Sequence, residues 1–502
     1  MKPEFGFYNA LVVIGYLAGI FAVGLYCTRL NRTTNDYFRG GQHMPWWAAG
    51  LSIFATMLSS ITYMAIPAKA YADNWLIVLA NLPILLLAPV VIYCFLPVYR
   101  RLDATSAYEY LEKRFNYGIR LFGTMSFSLF QVGRMAVVLY LPSLALSTVT
   151  DLNIYLCIGV MGVVSILYAG LGGIQAVIWT DVVQAVVLLG GALISFLIIM
   201  HDIEGGVSSF LETASRYDKF RIADMGWDIT APVLWVVLLG SVFNQLIPLT
   251  SDQSYVQRYM TTATEKEAGR AIWVNSLLAM PATVLFLGLG TAMYVFYQQH
   301  PGRLGALPSP DAILPWFIFH ELPAGLAGLV VAGIMAAAQS TVSTSMNSLS
   351  TVLMVDVFHH WRGQGTEAQE LRLARGLTVV VGGLGVGAAF LLAAMNLESM
   401  FDTFLKLVGL TGSALAGLFL LGIFTRRANT AGALAGAVAS CLVLYWVQQR
   451  TSLNFFLYAP VGMGTCFGVG YAVSCLTGGE RRTLAGLTYS TLETDSHKSA
   501  QE

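Results

Sequence analysis

The sequence is poor in charged residues and lacks the motifs of several enzyme and pump classes. Asp, Glu, Lys and Arg make up 11% of its 502 residues, while hydrophobic residues make up 56%. With a mean hydropathy of +0.65, the chain is too apolar for a soluble protein. No GxxxxGKS or GxxxxGKT phosphate loop occurs, which argues against ATP-driven pumping. The six cysteines lack paired spacing, and no His, Cys and carboxylate cluster has metal-ligand spacing.

Apolar segments of membrane-spanning length, about 20 residues each, recur along the whole chain. Residues 8–28 are too long for a typical signal core and are predicted to be a retained first span. The sequence predicts thirteen spans, at 8–28, 46–70, 75–99, 121–149, 153–173, 176–200, 231–251, 271–297, 323–355, 375–395, 401–425, 429–448 and 454–476. The expected fold class is therefore an all-α integral membrane protein with about 13 transmembrane helices.

Basic residues are distributed unevenly between alternate connections. One set of connections holds nineteen Lys and Arg residues and the other six, which leaves Lys69, Arg134 and Lys406 inside spans. Because cytoplasmic connections carry the excess of basic residues, we expect the N-terminus outside and the C-terminus in the cytoplasm. The connection 298–322 contains the short apolar patch ILPWFIF and predicts an external cap helix or a re-entrant piece, whereas the polar tail after 476 is expected to be disordered.

The densest polar stripe within an apolar segment lies in residues 331–351. Ser340, Ser343, Thr344 and Asn347 recur there at steps that place them on one face of a helix. Hydroxyls inside a membrane need partners, so this face is expected to point into the bundle. The stripe fits either helix–helix packing or oxygen ligands for a small hard cation.

Two predicted spans contain clusters of hydroxyl, amide and proline residues of the kind found where a membrane helix is interrupted. The second span holds Thr56, Ser59, Ser60 and Thr62 between Gly50 and Pro67, and the seventh holds Asn244, Gln245, Pro248, Thr250 and Ser251. Broken helices in transporters expose backbone groups to ions and substrates, and a pair five spans apart is typical of inverted repeats. The hydroxyls of the second span are equally compatible with an ordinary helix.

Two ionisable residues lie deep in predicted spans. Asp181, in the sixth span, is expected to face a cavity or to form a structural pair with a lysine or hydroxyl groups. Arg134, near the centre of the fourth span, is suited to a ligand carboxylate. Its structural alternative is a pair with Asp181 or with the carbonyls of a broken helix. Lys69 and Lys406 are close enough to span ends to reach the surface.

Five motifs in order resemble the sodium/solute symporter family: DYFRGG (36–41), TSAYEYLEKRF (105–115), GLGGIQAVIWTDVVQ (170–184), DQSYVQRY (252–259) and the serine-rich stripe. Within this family the chain is most similar to bacterial sialic acid transporters, through FATMLSSITYM, IPAKAYADNW and FQVGRMAVV. The resemblance implies the leucine-transporter fold, with ten core helices in two inverted five-helix repeats, and alternating access by a rocking bundle.

The resemblance also implies sites for sodium ions and a substrate. The common sodium site would use the carbonyls of Ala55, Leu58 and Ala337 with the hydroxyls of Ser340 and Thr341. A second sodium site would use Ser340, Ser343, Thr344 and Asp181. Arg134 would hold a substrate carboxylate, with Ser59 and Thr62 nearby. Met57 stands where the sialic acid branch is expected to have threonine, and Asn81 where it is expected to have glutamine; both should line the substrate cavity.

These expectations define a domain plan and a function. Residues 1–45 form an extra first helix and loop, 46–425 the core (repeats 46–200 and 231–425), 426–476 two further helices and 477–502 a cytoplasmic tail. The function is sodium-coupled import of an acidic sugar, sialic acid (N-acetylneuraminate), across the cell (inner) membrane. Another organic anion or a neutral sugar is the alternative. A channel or membrane enzyme is disfavoured, and neither nucleic acid nor an obligate protein partner is expected.

Overall fold

The computed structural model describes residues 6–149, 152–307, 310–395, 400–478 and 484–492, in which the regular elements are helices. The first part of the chain forms α1 (Phe7–Thr28), α2 (Thr34–Arg39), α3 (Trp46–Met57), α4 (Ser60–Ala72), α5 (Val78–Asn81), α6 (Pro83–Val90), α7 (Leu96–Leu102), α8 (Glu109–Arg114), α9 (Tyr117–Val149) and α10 (Ile154–Asp202). The second part forms α11 (Gly206–Arg216), α12 (Leu234–Ser251), α13 (Gln253–Tyr259), α14 (Glu265–Gln299), α15 (Ile313–His320), α16 (Leu326–Val352), α17 (His359–Arg362), α18 (Glu367–Met395), α19 (Met400–Phe424), α20 (Thr430–Arg450) and α21 (Tyr458–Thr477). Two π-helical stretches, Val91–Phe95 and Leu353–Phe358, continue α6 into α7 and α16 into α17.

The membrane-spanning character of the helices is confirmed, with a lower count than predicted. Within the described ranges, ten helical segments are long and apolar enough to cross a membrane, and α3 with α4 makes an eleventh, bent by 56°. The predicted spans 153–173 and 176–200 form one 49-residue helix, α10, broken in its backbone conformation at Gly173 (φ 54°). The predicted span 401–425 lies on α19, whose side chains from 400 to 411, including Lys406, are outside the described residues.

The second predicted span is interrupted, as expected. Leu58 has φ −86° and ψ 80°, so the chain leaves helical geometry after Met57. It resumes at Ser59, whose side chain accepts a hydrogen bond from the Thr62 backbone N–H and so caps α4. The break is therefore made from the hydroxyl cluster itself, because a serine at this position satisfies one of the free N–H groups of a helix start.

The seventh predicted span is interrupted as well, but not at the predicted place. α12 continues through Pro248 to Ser251, and the break falls at Asp252, which caps α13. The free carbonyls at the end of α12 are bonded by tyrosine hydroxyls: Tyr259 to Leu249 (3.2 Å), Tyr99 to Thr250, and Tyr108 to Ser251 (3.2 Å). These tertiary contacts stabilise a helix end that the position of the proline alone does not specify.

Among the described helices of membrane-spanning length, α16 is the most completely buried, because α1, α3, α4, α9, α10 and α18 all pack against it. Every residue from Val330 to Val352 on it is buried. The small residues of its first half allow close approach of neighbouring helices, and its second half carries hydroxyl groups into the centre of the bundle.

Several connections pack on, or form hydrogen bonds with, the ends of the membrane helices. The apolar patch of the connection 298–322 forms the short helix α15, which buries Ile313, Leu314 and Phe317. In the connection after α11, the Lys219 ammonium donates to the carbonyls of Tyr71 (2.7 Å) and Asp73 (3.0 Å). Burial at this position lowers the pKa of Lys219.

The expectation of a disordered tail is wrong for residues 484–492. Leu487 and Leu492 are buried, and the Tyr110 hydroxyl donates to the Leu487 carbonyl over 3.0 Å. Arg426 bonds Ser490 in the same segment. The apolar residues of the tail are too few to predict a span, yet they are enough to dock a short segment on the end of the bundle.

Candidate ion and substrate sites

The break between α3 and α4 lies against the middle of α16 and brings together the residues of the first expected sodium site. The Ser340 hydroxyl lies 3.1 Å from the carbonyl oxygen of Ala55 and 3.1 Å from that of Ala337. The Thr341 hydroxyl lies 3.2 Å from the Ala337 carbonyl. Leu58, the fifth expected ligand, ends α3 at the break. Carbonyl and hydroxyl oxygens from two helices thus meet in one buried place, which is the donor chemistry that a small hard cation needs.

The second expected sodium site contains a buried carboxylate that is already paired. Asp181 accepts hydrogen bonds through one oxygen, Oδ2, from Ser52 (2.5 Å) and from Arg258 (3.0 Å). Its other oxygen, Oδ1, is buried and has no hydrogen-bond partner among the described residues. The Thr344 hydroxyl accepts a bond from the same Arg258 guanidinium over 2.5 Å. The Ser343 hydroxyl donates to the Ser340 carbonyl (3.2 Å) instead.

The sequence analysis overlooked the buried position of Arg258. We counted it among the basic residues of a connection, but its side chain is 1% exposed and lies inside the bundle. It bonds Ser52, the Ser254 carbonyl, Asp181 and Thr344. The available signal was the motif DQSYVQRY, in which Arg258 follows Ser254 by four residues, one turn of a helix.

Arg134 bonds the last turn of α3, next to the α3–α4 break. Its Nη2 donates to the carbonyl oxygen of Thr56 over 2.8 Å. Its guanidinium lies 6.0 Å from the ring centroid of Phe130, a distance at the edge of cation–π range. The structural alternative of a bond to a broken helix is therefore present, whereas Asp181 pairs with Arg258 rather than with Arg134. Arg134 is half-buried, whereas Arg258 is fully buried.

A cavity of about 190 Å³ lies beside the same break. Its walls include Met57, Leu58 and Thr62 from the broken span and Asn81 from α5, together with Phe54, Ile66, Ile84, Gln245, Ala279 and Thr283. The Asn81 side chain donates to the Thr283 hydroxyl over 2.9 Å and lies 3.4 Å from the Gln245 amide. Ser59 does not line this cavity; its hydroxyl caps α4 and lies 3.2 Å from that of Thr62.

The C-terminal part of the serine-rich stripe serves in helix–helix packing, one of the two alternatives for the stripe. Asn347 accepts a hydrogen bond from Gln257 (2.9 Å), and Ser345 donates to Gln131 (2.7 Å). The packing interpretation of the stripe therefore applies to these turns of α16. The turn from Ser340 to Thr344 faces the helix break and Asp181, and the following turns join α16 to α9 and α13.

A helical membrane protein with interrupted spans, buried oxygen clusters and a half-polar cavity beside the break is built as a secondary transporter. The model of the sodium:solute symporter family matches residues 37–439. The chain belongs to this family, whose members are transporters rather than enzymes.

Individual relatives agree with this assignment. The chain is 40% identical to the sodium/sialic acid symporter NanT of Aliivibrio fischeri, over 93% of each chain. It is 39% identical to the sodium/sialic acid symporter SiaT of Proteus mirabilis, over 91% of this chain and 93% of that one. A solved structure of a Na⁺-coupled sialic acid symporter, substrate-bound and outward-open, superposes with a TM-score of 0.91 at 38% identity, covering 96% of this chain and 100% of that one. The expected leucine-transporter fold and sodium coupling are confirmed.

Proposed function

We propose that this protein imports a sialic acid, N-acetylneuraminate, across the cell (inner) membrane together with sodium. The observation that carries the proposal is the position of Arg134. It is not among the described residues that line the cavity, but its guanidinium donates to the carbonyl of Thr56, the residue before the cavity residue Met57. A guanidinium in this place has donors suited to the carboxylate of an acidic sugar. The similarity to two sodium/sialic acid symporters over nearly the whole chain supports the same substrate class.

The first coupling ion would bind between α3 and α16. Ala55, Leu58 and Ala337 would contribute carbonyl oxygens, and Ser340 and Thr341 hydroxyl oxygens. A cation at this position would join the broken span to the central helix, so its binding would favour one arrangement of the two. Sodium would in this way stabilise the conformation that accepts the substrate.

The second ion would bind beside Asp181, with Ser340, Ser343 and Thr344. Asp181 has one oxygen, Oδ1, without a hydrogen bond among the described residues, and this oxygen is free to coordinate a cation. Arg258 donates to the other oxygen and to Thr344. A sodium ion at Thr344 would therefore compete with Arg258, and its arrival would require the guanidinium to shift.

The substrate would enter through an opening of the cavity beside the break. At about 190 Å³, the cavity is smaller than the roughly 300–1,000 Å³ typical of ligand sites, so the surrounding helices must move to admit a sugar. Thr62 and Asn81 would contact polar groups of the sugar, Met57 would limit its bulk, and Ser59 would hold the end of α4 in place. Such movement is what alternating access requires.

A different organic anion is the second candidate, because of Met57 and Asn81. Methionine adds an apolar wall to the cavity, and the Asn81 amide is already bonded to Thr283. Both features reduce the polar surface that a sugar would contact. Uptake of labelled sialic acid is measured in the presence of unlabelled neutral sugars, monocarboxylates or sialic acid. The class of compound that competes separates these candidates.

The test is uptake by purified protein in liposomes with an inward sodium gradient. We expect sialic acid to accumulate with sodium outside and not with potassium. Absence of uptake, with binding of the acid also absent in a thermal-shift assay, would contradict the proposal.

Arg134→Lys tests how the acid is held. Lysine keeps the charge but loses the two-pronged geometry, so we expect affinity for sialic acid to fall about tenfold, roughly 1.4 kcal/mol. The neutral amide of sialic acid should bind wild type far more weakly than the acid, and this difference should disappear in Arg134→Ala. Equal binding of acid and amide by wild type would assign Arg134 a purely structural role. Lys69→Gln, at an exposed residue paired only with Asp73, is the control.

We further propose the domain plan and orientation expected from the sequence. The core would span residues 46–425, with repeats at 46–200 and 231–425, preceded by one extra helix and followed by α20, α21 and the tail. The N-terminus would lie outside and the C-terminus in the cytoplasm. With the buried Arg258 removed from the count, the basic residues still divide eighteen to six in favour of this orientation.

A further inference from the structure

A cavity of about 390 Å³ lies at the end of the bundle where α19 ends, beside α21. Its lining residues are Phe424, Thr425, Arg426, Arg427, Phe467 and Tyr471. The two arginines follow the last residue of α19, whereas Tyr471 lies six residues before the end of α21, about 9 Å into the membrane-spanning part. The cavity thus has a cationic mouth at the membrane surface and an aromatic wall that runs into the apolar layer.

The arginines at this mouth are not needed to cap α19. The Arg114 guanidinium donates to the carbonyl of Gly422 (3.1 Å) in the last turn of α19 and to those of Thr425 (2.9 Å) and Ala428 (2.9 Å) in the connection that follows it. Basic residues after a helix most often serve these carbonyls. With that role filled by Arg114, the exposed charges of Arg426 and Arg427 call for a different explanation.

The two arginines differ in their contacts. Arg426 donates to the Ser490 hydroxyl (2.7 Å) and to the Ser490 carbonyl (3.2 Å) of the docked tail segment. Arg427 is exposed and forms no hydrogen bond or ion pair with any residue that the structure describes. None of the six described lining residues is acidic. The charge of this cavity is therefore not neutralised by its own walls.

The aromatic wall suits the part of a lipid below its headgroup. Phe424 is 44% exposed and Tyr471 is 38% exposed, and Tyr471 lies on a helix that is long and apolar enough to cross a membrane. The rings of Phe467 and Tyr471 stack with an interplanar angle of 14°. Aromatic residues at the depth of the membrane interface pack against glycerol and the first methylene groups, and basic pockets between helices bind lipid phosphates.

We infer that this cavity binds the phosphate headgroup of an anionic phospholipid, with Arg427 as the principal contact. Arg426 adds charge while it holds the tail, and Phe424 and Tyr471 contact the glycerol and upper acyl chains. The inference is independent of the transported substrate, since it concerns a surface at the end of α19 and α21 rather than the cavity beside the α3–α4 break.

The experiment measures lipid binding directly, by native mass spectrometry of the purified full-length protein. Wild type is titrated with phosphatidylglycerol, with phosphatidylcholine and with inorganic phosphate. We expect phosphatidylglycerol to bind preferentially, and Arg427→Gln to lower its binding about fivefold, the effect of one basic residue at a membrane surface. Arg427→Lys should retain most of the binding.

Arg450→Gln is the matched control. Arg450 is the last residue of α20, is exposed, and lies at the far end of the helix that Arg427 precedes. Unchanged binding in Arg450→Gln together with loss in Arg427→Gln supports the site. An equal loss in both variants, no loss in a folded Arg427→Gln, or millimolar inorganic phosphate displacing the lipid would overturn it, the last by assigning the cavity to a free anion. Melting temperatures of all variants confirm folding.

Discussion

At the scale of single residues, Asp181 and Arg258 are oppositely charged side chains that pair at the centre of the bundle. Both side chains are almost fully buried, and they share one hydrogen bond of 3.0 Å. Removal of one member of a buried pair is costly because the remaining charge has no partner. A sodium ion beside Asp181 would alter the same balance without any change in sequence, so the pair is a suitable point of control for ion binding.

Asp181→Asn is expected to lower the free energy of unfolding by about 3 kcal/mol, because Arg258 stays charged and buried. It should also weaken the sodium dependence of uptake. The double change Asp181→Asn with Arg258→Gln removes both charges, so we expect stability to recover in large part while the sodium response stays weak. Uptake and melting temperature in sodium and potassium measure the two effects. Full recovery of sodium dependence in the double variant would make Asp181 purely structural.

The hydroxyls of Ser340 and Thr341 give a second prediction at this scale. Alanine at both positions removes two expected sodium ligands, while the Ala337 carbonyl stays within the helix. We therefore expect folding and membrane insertion to persist and sodium-driven uptake to be abolished.

Ser195→Ala is the matched control, because its buried hydroxyl donates only to the Gly191 carbonyl one turn earlier. Its uptake should resemble that of wild type. Sodium-dependent uptake of normal steepness in the Ser340 and Thr341 double variant would contradict the assignment.

At the scale of helices, the end of α16 is held by a buried ionic network. Asp356, in the π-helical stretch that follows α16, is fully buried and accepts bonds from Arg120 Nε (2.9 Å), Ser106 (2.9 Å) and Thr124 (2.8 Å). Arg120 also pairs with Glu112 of α8 over 2.5 Å. The central helix is in this way tied to α9 and to the segment around α8 at one end of the bundle.

Asp356→Asn removes a buried charge and leaves Arg120 with only the half-buried Glu112. We expect the free energy of unfolding to fall by about 3 kcal/mol. Glu112→Gln, at the partly exposed member of the same network, should cost less than about 1 kcal/mol. Unfolding in a denaturant series compares the two. Similar losses in both variants would mean that the network owes its strength to exposed rather than buried contacts.

At the scale of the whole molecule, the candidate ion and substrate sites lie on either side of one break. Ala55 faces Ser340 of the central helix, and Met57 and Leu58 face the cavity. A movement of α3 relative to α16 therefore changes both sites at once. Under the proposed function, this shared element would couple ion and substrate, because each ligand would bias the same conformational equilibrium.

Coupling of this kind is reciprocal in binding free energy. We expect saturating sodium to raise the affinity for sialic acid about tenfold, and saturating sialic acid to raise the affinity for sodium by the same factor. Isothermal titration in sodium and in potassium buffers measures both. Affinity for sialic acid that does not depend on sodium would exclude a shared element at the α3–α4 break.

The sequence by itself determined the membrane class, the family and most of the residues of the candidate sites. Apolar length is a local property, and the serine-rich stripe of α16 follows from helical periodicity alone. The interruption of the second span was predictable for the same reason, since Ser59 and the hydroxyls around it supply the cap of α4.

Only the tertiary structure decided what the polar groups contact. Arg258 was counted in a connection because its neighbours in sequence are polar, yet packing of α13 against α3 and α16 buries it beside Asp181. The break after α12 lies at Asp252 rather than at Pro248, because tyrosines distant in sequence bond the carbonyls there. The docking of residues 484–492 on the bundle also depends on tertiary contacts. Partners brought from elsewhere in the chain leave no local pattern, so their contributions are settled by the fold.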